Sequence, residues 1–204
     1  MTTHRVRCRC GSLEGELANP HGGNRVVCYC RDCQAFAHYL GNASEVLDAR
    51  SGSDIVQVLP KNLRFTRGSE MLACLRLRPK GLLRWYARCC RTPIGNTLAT
   101  PKLSFIGLLH SCLGPDHEAL NEAFGPVTAW VYTDGAKGDP KPSVEGTGKT
   151  IRWFIRTTLK ARINGDYRTT PLFRPGSSEP VVVPHLLSAD ELARVMQAVQ
   201  AASG

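Results

Sequence analysis

Three cysteines within six residues, Cys28-Tyr29-Cys30-Arg31-Asp32-Cys33, constrain this chain more than any other stretch. A second tight pair, Cys8 and Cys10, lies upstream, and Cys89-Cys90 follows far downstream. Zn²⁺ is tetrahedral and borderline-soft, and a short turn bearing thiolates can aim two or three sulfurs at one point. Such arrays are too dense to be incidental core cysteines. They point to a zinc–thiolate protein, with chemistry at Cys28, Cys30 and Cys33. Cys74 and Cys112 stand alone in apolar runs and read as free buried thiols.

The chain has 204 residues, enough to bury an ordinary core, so metal is not needed merely to rescue a tiny domain. With 42% hydrophobic and 21% charged residues it reads as globular, not disordered. Arg5, Arg7 and Arg9 have no apolar run behind them, which argues against a secretory signal. No stretch approaches the roughly 18 apolar residues of a membrane helix, so no membrane partner is expected. The expected compartment is a reducing cytoplasm, where clustered cysteines mean metal more often than disulfides. The odd count of nine cysteines argues the same way. The net charge is +9, but two Zn²⁺ held by seven thiolates would lower it to +6. That is moderately basic, and a nucleic-acid partner is not expected.

Along the chain the pattern is mainly β. Residues 4–9 alternate into Cys10-Gly11, 13–17 read as the return strand, and 25–29 run as a strand into the central array. Helix-friendly residues 34–40 stop at Gly41-Asn42. Residues 55–59, 63–66, 71–78, 82–87, 103–109 and 127–132 then form short strands between turn signals, favouring antiparallel pairing over β-α-β units. Residues 134–148 hold four glycines and two prolines and read as a linker or long loop. Beyond it, Ile151, Phe154, Ile155 and Leu159 share one helical face, while Lys149, Arg152, Arg156 and Lys160 lie along another. Ser188 and Glu191 make a capping box ahead of the stripe Leu192, Val195, Met196 and Val199. The expected organisation is a zinc-binding β domain over 1–133, a linker over 134–148 and a helical extension over 149–204.

Cys8-x-Cys10-Gly11, then Cys28-x-Cys30-x-x-Cys33, then Cys90-x-Thr92-Pro93-Ile94, resembles the glutathione-dependent formaldehyde-activating enzyme family, which includes centromere protein V. The resemblance covers roughly residues 4–133. It implies an Mss4-like β-tent of short antiparallel strands, and one or two zinc ions per chain. It implies a structural zinc on Cys8, Cys10 and Cys90, and a second, catalytic zinc on Cys28, Cys30 and Cys33. The family's usual phenylalanine-cysteine-x-x-cysteine-glycine-threonine reads here Tyr86-Ala87-Arg88-Cys89-Cys90-Arg91-Thr92. Ala87 replaces one ligand and Arg91 the glycine. Cys89 can stand in only if the backbone turns beside Cys90, because neighbours in extended chain point to opposite sides. A four-coordinate site on Cys8, Cys10, Cys89 and Cys90 and a degraded first site both remain open. His38 stands where the family often has glycine, and reads as a surface or partly buried histidine.

Three protein thiolates leave Zn²⁺ one open position, as in catalytic sites. The resemblance implies that a thiol such as glutathione binds there and adds to formaldehyde or another small aldehyde. The reverse step is a carbon–sulfur lyase reaction. The alternative is a non-catalytic zinc-stabilised binding module, whose basic stripe at Lys149, Arg152, Arg156 and Lys160 meets an anionic partner or is simply solvated. A thiol-redox switch at Cys89-Cys90 ranks third.

Overall fold

Alternating apolar and polar residues carry most of this chain into short strands. The computed structural model describes residues 2–202 except Pro115, and omits the side chain of His117. In chain order the first strands are β1 (Thr3–Arg7), β2 (Glu14–Ala18), β3 (Asn24–Cys28), β4 (Ser53–Val58) and β5 (Leu63–Arg67). They are followed by β6 (Leu72–Arg76), β7 (Leu83–Ala87), β8 (Thr92–Thr97), β9 (Ile106–Leu109), β10 (Ala129–Val131) and β11 (His185–Leu186). The α-helices are α1 (Arg31–Leu40), α2 (Ala43–Val46), α3 (His117–Phe124), α4 (Thr147–Ile163) and α5 (Ala189–Ala201).

One sheet has three strands in the order β1-β2-β5, and the other has eight in the order β10-β3-β4-β9-β8-β7-β6-β11. β8 and β9 are buried along their whole length, so their residues are apolar or hydrogen-bonded without a solvent-facing alternation. Trp85 of β7 is fully buried and donates from Nε1 to Thr97 Oγ1 at 3.0 Å. The three-stranded sheet is antiparallel throughout, but the eight-stranded sheet is mixed: β10 runs parallel to β3, and β11 parallel to β6. Both are edge strands of two or three residues reached over long connections. Local periodicity carries no information about direction across such a separation.

The segment around 134–148 lies against the β domain: Lys137 N–H donates to Arg50 O at 2.9 Å, and Trp130 and Glu145 exchange backbone hydrogen bonds. α5 packs on α1, and its Ser188–Glu191 capping box is formed, with Glu191 N–H donating to Ser188 Oγ at 3.2 Å. Leu192, Val195 and Met196 pack against buried residues, and Val199 is itself buried. α4 behaves otherwise. Its Phe154 meets Phe105 at 5.7 Å between ring centroids, but Ile151, Ile155 and Leu159 face solvent. Among the described residues, no helix is long and apolar enough to cross a membrane.

A buried ion pair locks β3 to β4 and α3. Arg25 donates to Asp54 through Nε (3.0 Å) and Nη2 (2.6 Å), and through Nη1 to Asn121 Oδ1 at 2.6 Å. Removing one partner leaves the other charge buried and costs about 3–5 kcal/mol. Asp54→Ala should therefore lower Tm by on the order of 10 °C in a thermal melt. Arg25→Met combined with Asp54→Leu should recover much of that loss, and a double variant melting below Asp54→Ala would contradict the assignment.

Candidate metal centres

The first cysteine group forms where two turns meet. Cys8 and Cys10 follow β1, and Gly11 closes their turn at φ +75°, in the left-handed region that favours glycine. Its N–H donates to Cys8 O at 2.9 Å. Cys89 and Cys90 lie in the turn between β7 and β8, where Arg91 takes φ +57°. The chain reverses there, so both neighbouring sulfurs reach the Cys8 side. The Arg91 conformation is held by its guanidinium donating to Tyr39 O, by its stacking on the Tyr39 ring at 5.3 Å, and by Asn42 Nδ2 donating to Arg91 O at 3.1 Å.

The sulfur–sulfur distances are 3.6 Å for Cys8–Cys10, 3.7 Å for Cys8–Cys89, 3.4 Å for Cys10–Cys89 and 3.9 Å for Cys89–Cys90. Four thiolates set tetrahedrally at about 2.3 Å from an ion have edges of about 3.8 Å. A disulfide needs about 2.05 Å, and all nine cysteines are free. The set therefore fits a four-coordinate ion, with Cys89 and Cys90 both contributing. Supporting groups surround it: Leu13 N–H donates to Cys8 Sγ at 3.3 Å. Thr92 Oγ1 lies 3.1 Å from Cys90 Sγ and accepts from Arg9 N–H at 3.0 Å. Hydrogen bonds from Ser12 hold Cys10 down at about 6, while burial pushes Cys89 up to about 12.

The second group forms at the junction of β3 and α1. Cys28 ends β3, Cys30 caps α1, and Cys33 sits in its first turn with its N–H donating to Cys30 O at 3.0 Å. Gln34 Nε2 pins this loop by donating to Tyr29 O and Gly135 O, both at 2.8 Å. A Cβ at Gly135 would fall 2.1 Å from Tyr29 O, so that approach requires glycine. The three sulfurs lie within 4.8 Å of one another, with Cys28 and Cys33 buried and Cys30 half-buried. The α1 N-terminus further favours thiolates there.

Arg84 is the functional residue that sequence reasoning missed. It is 2% exposed, and its Nη1 lies 4.0 Å from Cys33 Sγ and 3.2 Å from Asn96 Oδ1. Its guanidinium also stacks on the Phe36 ring at 5.5 Å. Among the described residues no carboxylate forms an ion pair with it. A buried cation needs a negative partner, and the thiol group is the one at hand. Hydrogen bonds from Cys28 and Cys30 hold Cys33 well below the usual thiol range, and Arg84 adds to this against the cost of burial. The same contacts push Cys28 up. Three thiolates with a divalent ion carry one net negative charge, which Arg84 cancels. The residues fit a metal ion.

The other candidates stay apart. Cys74 and Cys112 are buried in the core, and burial pushes both up to about 12. His38 is half-buried, and burial holds its imidazole below the usual value. Among the described residues no histidine or carboxylate joins either cysteine group. A cavity of about 860 Å³ borders Cys8, Val27 and Asp54. Val27 alternates with Cys28 to the opposite face of β3, so this cavity is not the triad's. Its arginines are engaged: Arg5 and Arg7 meet Glu14 at 2.7 and 3.5 Å, and Arg9 meets Glu45 at 2.6 Å. A smaller cavity, of about 340 Å³, lies between α1 and α5, lined by Arg31, Gln34, Lys141 and Met196.

The fold and these sites define a mainly β protein with two cysteine groups positioned to hold metal ions. The chain belongs to the family described as a family of unknown function (DUF6151), whose sequence profile matches residues 2–183. No curated protein matches it. It is similar to the crystal structure of a Rhodobacter sphaeroides protein, at 20% identity and a TM-score of 0.40, over 62% of this chain and 99% of that one.

Two measurements separate the roles of the groups. Cys8→Ser should remove about one metal equivalent per chain and lower Tm markedly, because metal held between distant segments contributes to folding free energy. A Cys8→Ser protein melting like its parent would exclude the clip. Arg84→Met should weaken metal retention at the triad by about 10–100-fold in chelator competition, leaving the four-cysteine group loaded. Equal loss from both groups would show that Arg84 acts on folding instead.

Proposed function

We propose that the chain is a zinc-dependent carbon–sulfur lyase-like protein of the glutathione-dependent formaldehyde-activating type, built on an Mss4-like β-tent. Zinc is the metal proposed because thiolate-only tetrahedral sets favour it, and both groups are thiolate-only. The observation that carries the reading is the gathering of three sulfurs at Cys28, Cys30 and Cys33, one short of a closed structural set, beside a four-sulfur set elsewhere. Residues 1–133 would carry both cysteine groups, with Lys141 and α5 beside the triad from later in the chain, in a reducing cytoplasm where free thiols persist.

A zinc ion on the triad would supply an open position where a thiol gives up its proton and becomes nucleophilic. In the net reaction the sulfur bonds to the aldehyde carbon, and the thiol proton ends on the former carbonyl oxygen. Cys28, Cys30 and Cys33 hold the site, and Arg84 offsets their charge. Cys30, the half-buried member, marks the side of approach. Arg31 and Lys141 line the neighbouring cavity and offer cations to the carboxylates of a glutathione-like thiol. α5 brings apolar side chains into the cluster that holds Cys28 and Cys33 and so makes the surroundings of those thiols less polar.

A second reading draws on that same cover. Leu187 and Val199 belong to the apolar cluster that contains Cys28 and Cys33, an arrangement that also suits a zinc-stabilised binding module without turnover.

Cobalt-substituted protein distinguishes the two. Adding glutathione should change the sulfur-to-cobalt charge-transfer absorption, and S-methylglutathione should do so weakly. The zinc protein should also accelerate thiol addition to formaldehyde above the uncatalysed rate, and Cys30→Ser should abolish this. Thiol binding without acceleration selects the binding module. Fully loaded protein showing neither removes the lyase reading.

A further inference from the structure

The seventeen-residue helix α4 turns an apolar row outward. Ile151, Ile155, Leu159 and Ile163 are spaced four apart and are 53%, 57%, 58% and 76% exposed. At 1.5 Å per residue the row is about 18 Å long. The opposite face is already docked: Phe154 meets Phe105, and Thr158 and Ala161 are buried. The outward row is therefore surplus to the packing of the helix.

Charge accompanies the row along its length. Arg152, Arg156 and Lys160 each follow one of its members by one residue, about 100° round the helix. Lys149 and Arg162 bring the cations in α4 to five, and the helix contains no acidic residue. The nearest acid after it, Asp166, is tied to Lys61 at 2.6 Å. Beyond its C-terminus Arg168 stacks on Tyr167 at 5.5 Å, as does Arg162 at 4.9 Å.

We propose that α4 is a docking surface for an anionic phospholipid bilayer, lying in the headgroup plane with its aliphatic row in the acyl boundary. A helix with aliphatic residues beside a purely cationic flank matches such an interface in both chemistries. A second copy of the chain would set like charges against each other. A nucleic-acid backbone would meet the cations and leave the isoleucines wet. The lack of a helix long and apolar enough to cross a membrane among the described residues bears on spanning alone, and α4 would lie on a bilayer without crossing it. The inference is independent of the triad's chemistry.

The test is co-sedimentation of the full, metal-loaded chain with vesicles of phosphatidylcholine alone or mixed with phosphatidylglycerol. The chain should pellet with the mixed vesicles, stay in solution with the neutral ones, and be released by salt. Each cation near an anionic surface contributes about five-fold in partitioning, so Arg152→Gln with Arg156→Gln should weaken binding about thirty-fold. Ile155→Ser with Leu159→Ser should weaken it at least ~10-fold. All four side chains are exposed, so both variants should keep parental Tm and metal content. Failure to pellet with mixed vesicles, equal pelleting with neutral ones, or unchanged binding by the variants would overturn the proposal. So would a solution dimer that dissociates in the Ile155→Ser, Leu159→Ser variant, because a second copy would then cover the face.

Discussion

The meeting of Cys8, Cys10, Cys89 and Cys90 is the constraint on which the arrangement of the two sheets rests. Cys8 and Cys10 leave β1 in the three-stranded sheet, while Cys89 and Cys90 belong to the turn between β7 and β8 of the eight-stranded sheet. Nearly eighty residues separate the two pairs. Closing such a loop costs chain entropy, and an ion bound only in the folded state returns free energy for it. The turn chemistry serves this one contact: glycine at position 11 and a left-handed Arg91 at the other tip. Thr92 bridges the two tips through Arg9 N–H and Cys90 Sγ. The thiolates in turn keep two exposed turns in one geometry.

The second cysteine group answers to charge more than to chain closure. Its three sulfurs come from one stretch of six residues, so gathering them costs little entropy. What is expensive is placing several negative groups in an apolar cluster beside Phe36, Leu75 and Leu109. The α1 N-terminus helps on one side and Arg84 on the other. Arg84 would be unfavourable in this cluster without anionic sulfur, and the sulfurs would resist ionising without a cation. Each makes the other tolerable, which gives a physical reason to read the group as thiolates with a metal and not as three neutral thiols.

Much of this was legible in the sequence, and the limits follow range of interaction. The cysteine arrays are short-range patterns, and the α5 capping box is local hydrogen bonding, so both appear directly. The α3 helix was missed although Asp116 supplies a cap, its Oδ1 accepting from Glu118 N–H at 2.9 Å. Eight residues give too little periodicity to register. The parallel edges β10 and β11 depend on contacts more than a hundred residues away. Arg84 looked like an ordinary strand residue between Leu83 and Trp85, since nothing local says that position 84 faces Cys33. The stripe on α4 was visible, but periodicity identifies a face and not whether anything covers it.

That last distinction also decides how the C-terminal segment relates to the triad. The family profile ends at residue 183, and β11 and α5 lie just beyond it. Yet Leu187 and Val199 pack into the cluster that holds Cys28 and Cys33, and Met196 lines the cavity beside Arg31 and Gln34. Removing water from one side of a charged group strengthens every remaining interaction with it. By packing into the cluster that contains Cys28 and Cys33, Leu187 and α5 add to the apolar surroundings of those sulfurs. Whatever reaches those sulfurs meets a surface built partly by residues outside the matched stretch. Leu187 and α5 are in this sense part of the packing around Cys28 and Cys33, so the surroundings of those sulfurs follow the packing of α5 on α1 as well as the spacing of the cysteines.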